Sequence, residues 1–271
     1  MRVTMSTYAS ETRTEQLDEG RWRGHVHAAW NIGDNPNGGY LLSIVLCALR
    51  EALPHPDPIS ITTHFLRPGE ANADCEIDID VVRTGRSVST ARAELRQSGK
   101  TKLVVLAAFG NLAEPVGIAD EFVPEAPSRP DFDACVPRSG ALQGIELAIN
   151  ERIDLRLNPA LVTAGGGQAA IMEGYVRLSD ETDPDTTIAC LFMDVFPPSP
   201  FARLGVVGWV PTIELTVHVR RRPASGWMFA RLACEDLSGG RMIESGMLWD
   251  SSGALIAQSR QLGLVMQGGS S

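Results

Sequence analysis

The chain repeats itself at a fixed distance. Ile61-Thr62-Thr63-His64-Phe65-Leu66-Arg67 resembles Leu215-Thr216-Val217-His218-Val219-Arg220-Arg221, with the two histidines 154 positions apart. Gly85-Arg86 is answered by Gly240-Arg241 after 155 positions, and Ser98-Gly99 by Ser252-Gly253 after 154. A near-constant offset over separate matches is hard to produce by accident, and it marks a unit used twice. With 271 residues, each copy has the size of an ordinary domain. The competing reading is a single large β-rich domain in which the similarity is coincidental.

Each copy carries a helix and then several strands. Tyr40 to Leu53 is apolar on almost every side, with Leu41, Leu42, Ile44, Val45, Leu46, Ala48 and Leu49 ahead of Pro54. A helix with no polar face has to be buried all round, and the preceding Asn37 is suited to cap it. In the second copy, Asp183-Pro184-Asp185 reads as a helix start with proline at the first helical position. That helix is expected to run through Ile188 to Phe196 and stop at Pro197-Pro198. β-rich or alternating runs follow each helix: Ile59 to Leu66, Cys75 to Val82, Ser87 to Leu95 and Lys102 to Phe109, then Thr212 to Val219, Trp227 to Glu235, Met242 to Trp249 and Ala254 to Leu264. Residues 96–100 and 250–254 read as hairpin turns. A meander of antiparallel strands wrapped around one central apolar helix buries such a helix. The expected fold is therefore α+β, a double hot-dog of two antiparallel sheets. Residues 1–112 form the first domain, 113–147 a proline-rich linker with Pro115, Pro124, Pro127, Pro130 and Pro137, and 148–271 the second domain.

Composition narrows the function classes. The net charge of −9 opposes binding to a polyanion, so nucleic acid is not an expected partner. Arg220-Arg221-Arg222 could still meet a small anion locally, or simply solvate a strand end. No apolar run reaches the ~20 residues a membrane span needs. The five cysteines are scattered and odd in number, with no C-x-x-C pair, and they read as reduced core thiols of a cytoplasmic protein without a disulfide framework or zinc site. Among the five histidines, His25 and His27 alone are closely spaced, and two ligands do not make a metal site. His64 and His218 match across the repeat, which favours a structural role. No metal or cofactor is expected, and no G-x-S-x-G elbow or phosphate-cradling loop is present.

Four stretches together resemble the acyl-CoA thioesterase II family of double hot-dog proteins: Asn37-Gly38-Gly39-Tyr40, Ile61 to Pro68, Pro211 to His218, and Ala257-Gln258-Ser259-Arg260-Gln261-Leu262-Gly263. The resemblance implies hydrolysis of an acyl-CoA by a water held by an aspartate, a threonine and a glutamine, here Asp194, Thr212 and Gln261. Read on its own, Asp194 lies in an apolar surround at the negative end of its helix, and both effects raise a carboxyl pKa towards that of a useful base. Thr212 is also a plain strand former, and Gln261 could be an edge glutamine. The start of the first helix, Gly38, Gly39 and Tyr40, is the expected oxyanion and substrate-binding element, because its amides lie at the positive end of the dipole. Glycines could equally relieve crowding there.

Two other functions compete. Gly33-Asp34-Asn35-Pro36 superficially resembles the signature of hot-dog enoyl-CoA hydratases and dehydratases, but it is one residue short and lacks the histidine. A non-catalytic acyl-CoA binding module would keep the groove and lose the water-holding groups. Hot-dog sheets commonly associate, so a homo-oligomer of double units is expected.

Overall fold

The computed structural model describes residues 7–114, 116–118, 122–140, 145–162, 167–205 and 208–266. The first half contains α1 (Thr7–Glu11), β1 (Glu15–Asp18), β2 (Arg21–Val26), a small hairpin of β3 (Asn31–Ile32) and β4 (Asn35–Pro36), α2 (Gly38–Ala52), β5 (Asp57–Phe65), β6 (Ala73–Thr84), β7 (Ser89–Gln97) and β8 (Lys100–Gly110). The second contains β9 (Val136–Pro137), β10 (Ile153–Leu157), α3 (Pro159–Val162), β11 (Ile171–Leu178), α4 (Thr186–Phe192), α5 (Pro200–Leu204), β12 (Thr212–Val219), β13 (Met228–Ser238), β14 (Arg241–Trp249) and β15 (Leu255–Leu264).

α2 forms because its first turn is capped and its sides are apolar. The Asn37 side chain accepts a hydrogen bond from the Tyr40 amide at 3.0 Å, satisfying one of the donors a helix start leaves open. Leu42, Ile44, Val45, Leu46 and Leu49 are completely buried, each contributing on the order of 1.5–3 kcal/mol of apolar burial. α4 is shorter than its sequence suggests. Pro184 lies outside it, and the Asp185 carboxylate caps it by accepting from the amides of Thr187 and Ile188. The helix ends at Phe192, not Phe196. The Met193 and Asp194 amides reach back only three residues, to Cys190 and Leu191, a tightening that closes the helix.

The two expected sheets join edge to edge into one 13-stranded sheet of order β1-β2-β6-β7-β8-β5-β12-β15-β14-β13-β11-β10-β9. Within each half the strands do not form a simple meander. β5 crosses over to pair with β8 instead of β6, and β12 does the same with β15. That crossover leaves β5 and β12 as the edges the two halves share. Thr62 pairs with Thr216 across the seam, so a residue meets its own counterpart in the repeat, and their hydroxyls are hydrogen-bonded at 3.0 Å. A pseudo-two-fold axis therefore passes through this pair, as in an isologous interface. Even the irregularities repeat, with register breaks at Pro58/Ser60 and at Thr212/Glu214.

Partly buried ion pairs tie the halves together, among them Arg50 with Asp185 at 2.9 Å. Arg152 makes a two-pronged contact with Glu11. Arg222 reaches the buried Asp57, whose carboxylate also accepts from the Leu112 amide and the Thr186 hydroxyl. Within the arginine triplet, Arg222 is thereby committed to Asp57. The proline-rich stretch also contributes structure: β9 pairs with β10, and Arg138 beside it is buried. All five cysteines are free thiols, three of them buried. Among the described residues no helix is long and apolar enough to cross a membrane.

Candidate active site

Between the two halves lies a cavity of about 680 Å³, in the usual size range for small-molecule sites. Most of its wall is apolar, with Leu41 and Phe65 from the first half and Leu157, Met172, Leu232 and Met242 from the second. The polar groups on that wall include Asp194, Thr212, Gln261 and Glu244. Three of the four were expected from the sequence.

Asp194 leaves the end of α4 and meets the start of α2. Its carboxylate accepts from the Gly39 amide at 2.7 Å and from the Asn37 side-chain amide at 3.3 Å, and its backbone carbonyl accepts from Asn37 at 2.9 Å. The expectation that only its own helix end would act on it is thus half the picture, because the positive end of the other central helix faces it. Burial is the largest influence on the carboxyl and raises it from the usual 3.8 to about 7. The Gly39 and Asn37 donors oppose this, and the neighbouring Glu244 adds to it.

The approach of the two helices depends on glycine. A β-carbon on Gly39 would lie 2.9 Å from the Asp194 β-carbon and 3.1 Å from the Leu191 carbonyl. One on Gly38 would lie 3.0 Å from the Asp194 carboxylate. Both readings of this pair therefore have a place. The Gly39 amide is used on Asp194 and its lack of a side chain relieves crowding, whereas the Gly38 amide has no hydrogen-bond partner among the described residues and Gly38 lines the cavity. Tyr40 is a correction. Its ring is fully buried and stacked on Trp30, and its hydroxyl is bonded to Glu11, His25 and His27 backbone groups, so it belongs to the core and not to the substrate wall. Helical periodicity turns it away from the face that Gly38 presents.

Thr212 opens β12 at the register break and Gln261 stands in β15; the Gln261 amide donates to the Thr212 hydroxyl. Bulges commonly re-aim a side chain in this way. At the repeat offset, Pro58 and Ala107 occupy the corresponding places in β5 and β8. Neither side chain can hold a water, so the threonine–glutamine pair occurs at these strand positions in one half only.

The sequence reading missed Glu244. It is 2% exposed, and it pairs with Gln261 across the β14–β15 ladder. Its alternation with Met242 in an otherwise ordinary strand was the available signal: a carboxylate at an inward position. The rival hydratase signature forms the turn of the β3–β4 hairpin, where Asp34 is exposed. Among the described residues no group of three His, Cys, Asp or Glu side chains is arranged to hold a metal ion.

Comparison with known proteins identifies the family and the fold. A model of the acyl-CoA thioesterase N-terminal domain matches residues 26–110, and one of the acyl-CoA thioesterase C-terminal domain matches residues 121–265. The chain belongs to the acyl-CoA thioesterase family. A candidate thioesterase II from Thermobifida fusca is 29% identical to this family member, with a TM-score of 0.87 over 98% of this chain and 99% of that one. A hot-dog protein of unknown function from Alicyclobacillus acidocaldarius shares the fold at 21% identity and a TM-score of 0.81, covering 98% and 100%. The acyl-CoA thioesterase II TesB2 of Mycobacterium marinum does so at 20% identity and 0.77, also covering 98% and 100%. For this acyl-CoA thioesterase family protein, the double hot-dog architecture extends over the full set of described elements.

Proposed function

We propose that the protein hydrolyses an acyl-CoA thioester to a free acid and CoA in this cavity, with Asp194 as base and with Thr212 and Gln261 holding the water. The observation that carries this reading is a half-buried carboxyl, raised to about 7, on the wall of an apolar cavity that also holds the Thr212–Gln261 pair. A base is most effective when its pKa is near working pH. Family membership supports the same chemistry.

The acyl chain lies against the apolar wall, with the thioester carbonyl near the start of α2. Asp194 removes a proton as the water oxygen bonds to the carbonyl carbon. The resulting oxyanion is met by the Gly38 amide at the positive helix end. Collapse re-forms the carbonyl, breaks the carbon–sulfur bond and releases CoA thiolate, which takes up a proton as Asp194 returns its own to solvent. Gln261 donates to Thr212, which leaves the threonine proton free for another acceptor and makes the pair a holder for water.

The test is CoA thiol release from acyl-CoAs of short to long chain, with Asp194→Ala alongside. Release by the wild type and a fall of at least about 100-fold in the variant are expected. Binding of acyl-CoA without release at any chain length would overturn the hydrolytic reading in favour of a binding module.

A further inference from the structure

Glu244 is a second carboxyl in the cavity that the hydrolytic steps above leave without a task. Ser199 gives its Oε2 both a backbone N–H, at 2.9 Å, and a hydroxyl. The other oxygen, Oε1, has no hydrogen-bond partner among the described residues, although the side chain lines the cavity. Residues directly opposed on neighbouring antiparallel strands project from the same face, with β-carbons about 5 Å apart. The register thus sets Glu244 beside Gln261 on one side and Cys234 on the other. Burying a carboxyl this thoroughly without a cation destabilises the fold, and core packing alone would favour an apolar residue at an inward strand position.

We propose that Glu244 is a positioning residue of the hydrolytic site, acting on the reaction through Asp194 and Gln261 and not on the thioester itself. This rests on the hydrolytic reading only for its effect on turnover. Two carboxyls in one low-dielectric cavity do not both ionise freely, so a proton retained on one affects the other. Asp194 has the α2 helix end, the Gly39 amide and the Asn37 amide to stabilise its charge. Glu244 has only the Ser199 donors, and burial keeps its carboxyl above the usual range. The charge of an ionised Glu244 adds to the burial of Asp194, so Glu244 keeps Asp194 from ionising too readily and leaves it a stronger base. Among the described residues Cys234 of β13 pairs with Glu244 and is itself raised by burial and by Glu244, and the cations on the cavity wall are Arg138, tied to Asn150 and the Val195 carbonyl, and Arg67, which donates to the Thr101 carbonyl. Beside Gln261, the same carboxyl limits the rotation of the amide that donates to Thr212.

The experiment compares wild type, Glu244→Gln and Ser199→Ala by two readouts. Side-chain carbon NMR follows the titration of Asp194 without substrate, and CoA release gives kcat and KM against pH. Glu244→Gln is nearly isosteric and keeps an acceptor for Ser199, so it isolates the ionisable group. The Asp194 midpoint should fall by on the order of half a pH unit or more, with the acid limb of kcat/KM moving by the same amount. Its kcat should drop about tenfold with KM within twofold, and Ser199→Ala should move Asp194 the same way by less. An Asp194 midpoint and acid limb unchanged in Glu244→Gln would overturn the proposal. If the wild type releases no CoA, the hydrolytic reading fails, and the Asp194 titration alone still decides this one.

Discussion

Asp194→Asn should make the protein more stable and less active, and the pH at which the stability appears is set by the burial of the carboxyl. In the folded chain this group titrates near 7, against 3.8 when it is solvated. Between those values the unfolded chain has released the proton and the folded chain retains it, so wild-type stability falls as pH rises. At about 1.4 kcal/mol for each pH unit, the penalty reaches on the order of 4 kcal/mol above pH 7 and vanishes below about pH 4. Asparagine never ionises and can still accept from the Gly39 amide. The variant's advantage over wild type should therefore grow from pH 4.5 to 7 and then level off, as read by urea unfolding at several pH values. Any change in hydrogen-bond quality shifts the whole difference curve and leaves its slope alone. CoA release by the same variant should fall at least about 100-fold. A stability difference that is flat with pH would show that the carboxyl is not displaced from its solvated value, and the base assignment would lose its physical ground.

Gly39→Ala places a methyl group 2.9 Å from the Asp194 β-carbon. Crowding costs about 1–3 kcal/mol and offsets a helix-propensity gain of about 1 kcal/mol, so thermal unfolding should change little or fall slightly while CoA release drops tenfold or more. Thr212→Val and Gln261→Ala should each lower kcat with little change in unfolding temperature, and the double variant should be no worse than the poorer single one, because the two side chains act as one holder for water; full additivity in kcat would contradict that unit. At the seam, Arg222→Ala leaves the buried Asp57 carboxylate without its cation, held only by the Leu112 amide and the Thr186 hydroxyl, and should cost on the order of 1–3 kcal/mol, whereas Asp57→Ala leaves an arginine side chain that is 47% exposed and readily hydrated, and should cost less. Urea unfolding at pH 7 orders the two, and the reverse order would refute the burial argument.

Much of the architecture was legible in the sequence because it follows from local rules. The constant offset identified the doubling, an all-apolar run between Asn37 and Pro54 required a buried helix, and alternation located eight strands to within a few residues. Asp194 was visible as a carboxyl that its apolar neighbours do not explain, and the family resemblance singled out Thr212 and Gln261. Other features depend on contacts between segments distant along the chain. Whether β5 pairs with β6 or crosses to β8 is decided by which edge the halves share. Where α4 stops is decided by Asp194 reaching the amide of Gly39, 155 positions away. Glu244 and Tyr40 exchanged apparent roles for the same reason, since a carboxylate in a strand and a tyrosine beside two glycines give no local sign of which one faces the cavity. The sequence by itself determined the elements, their doubling and the residue types able to do the chemistry, because periodicity, capping and burial act over a few neighbouring residues. Only the tertiary structure decided which helix end meets which carboxyl, and so the proton affinity of Asp194, because burial and electrostatic interaction depend on distances in space that no local pattern encodes.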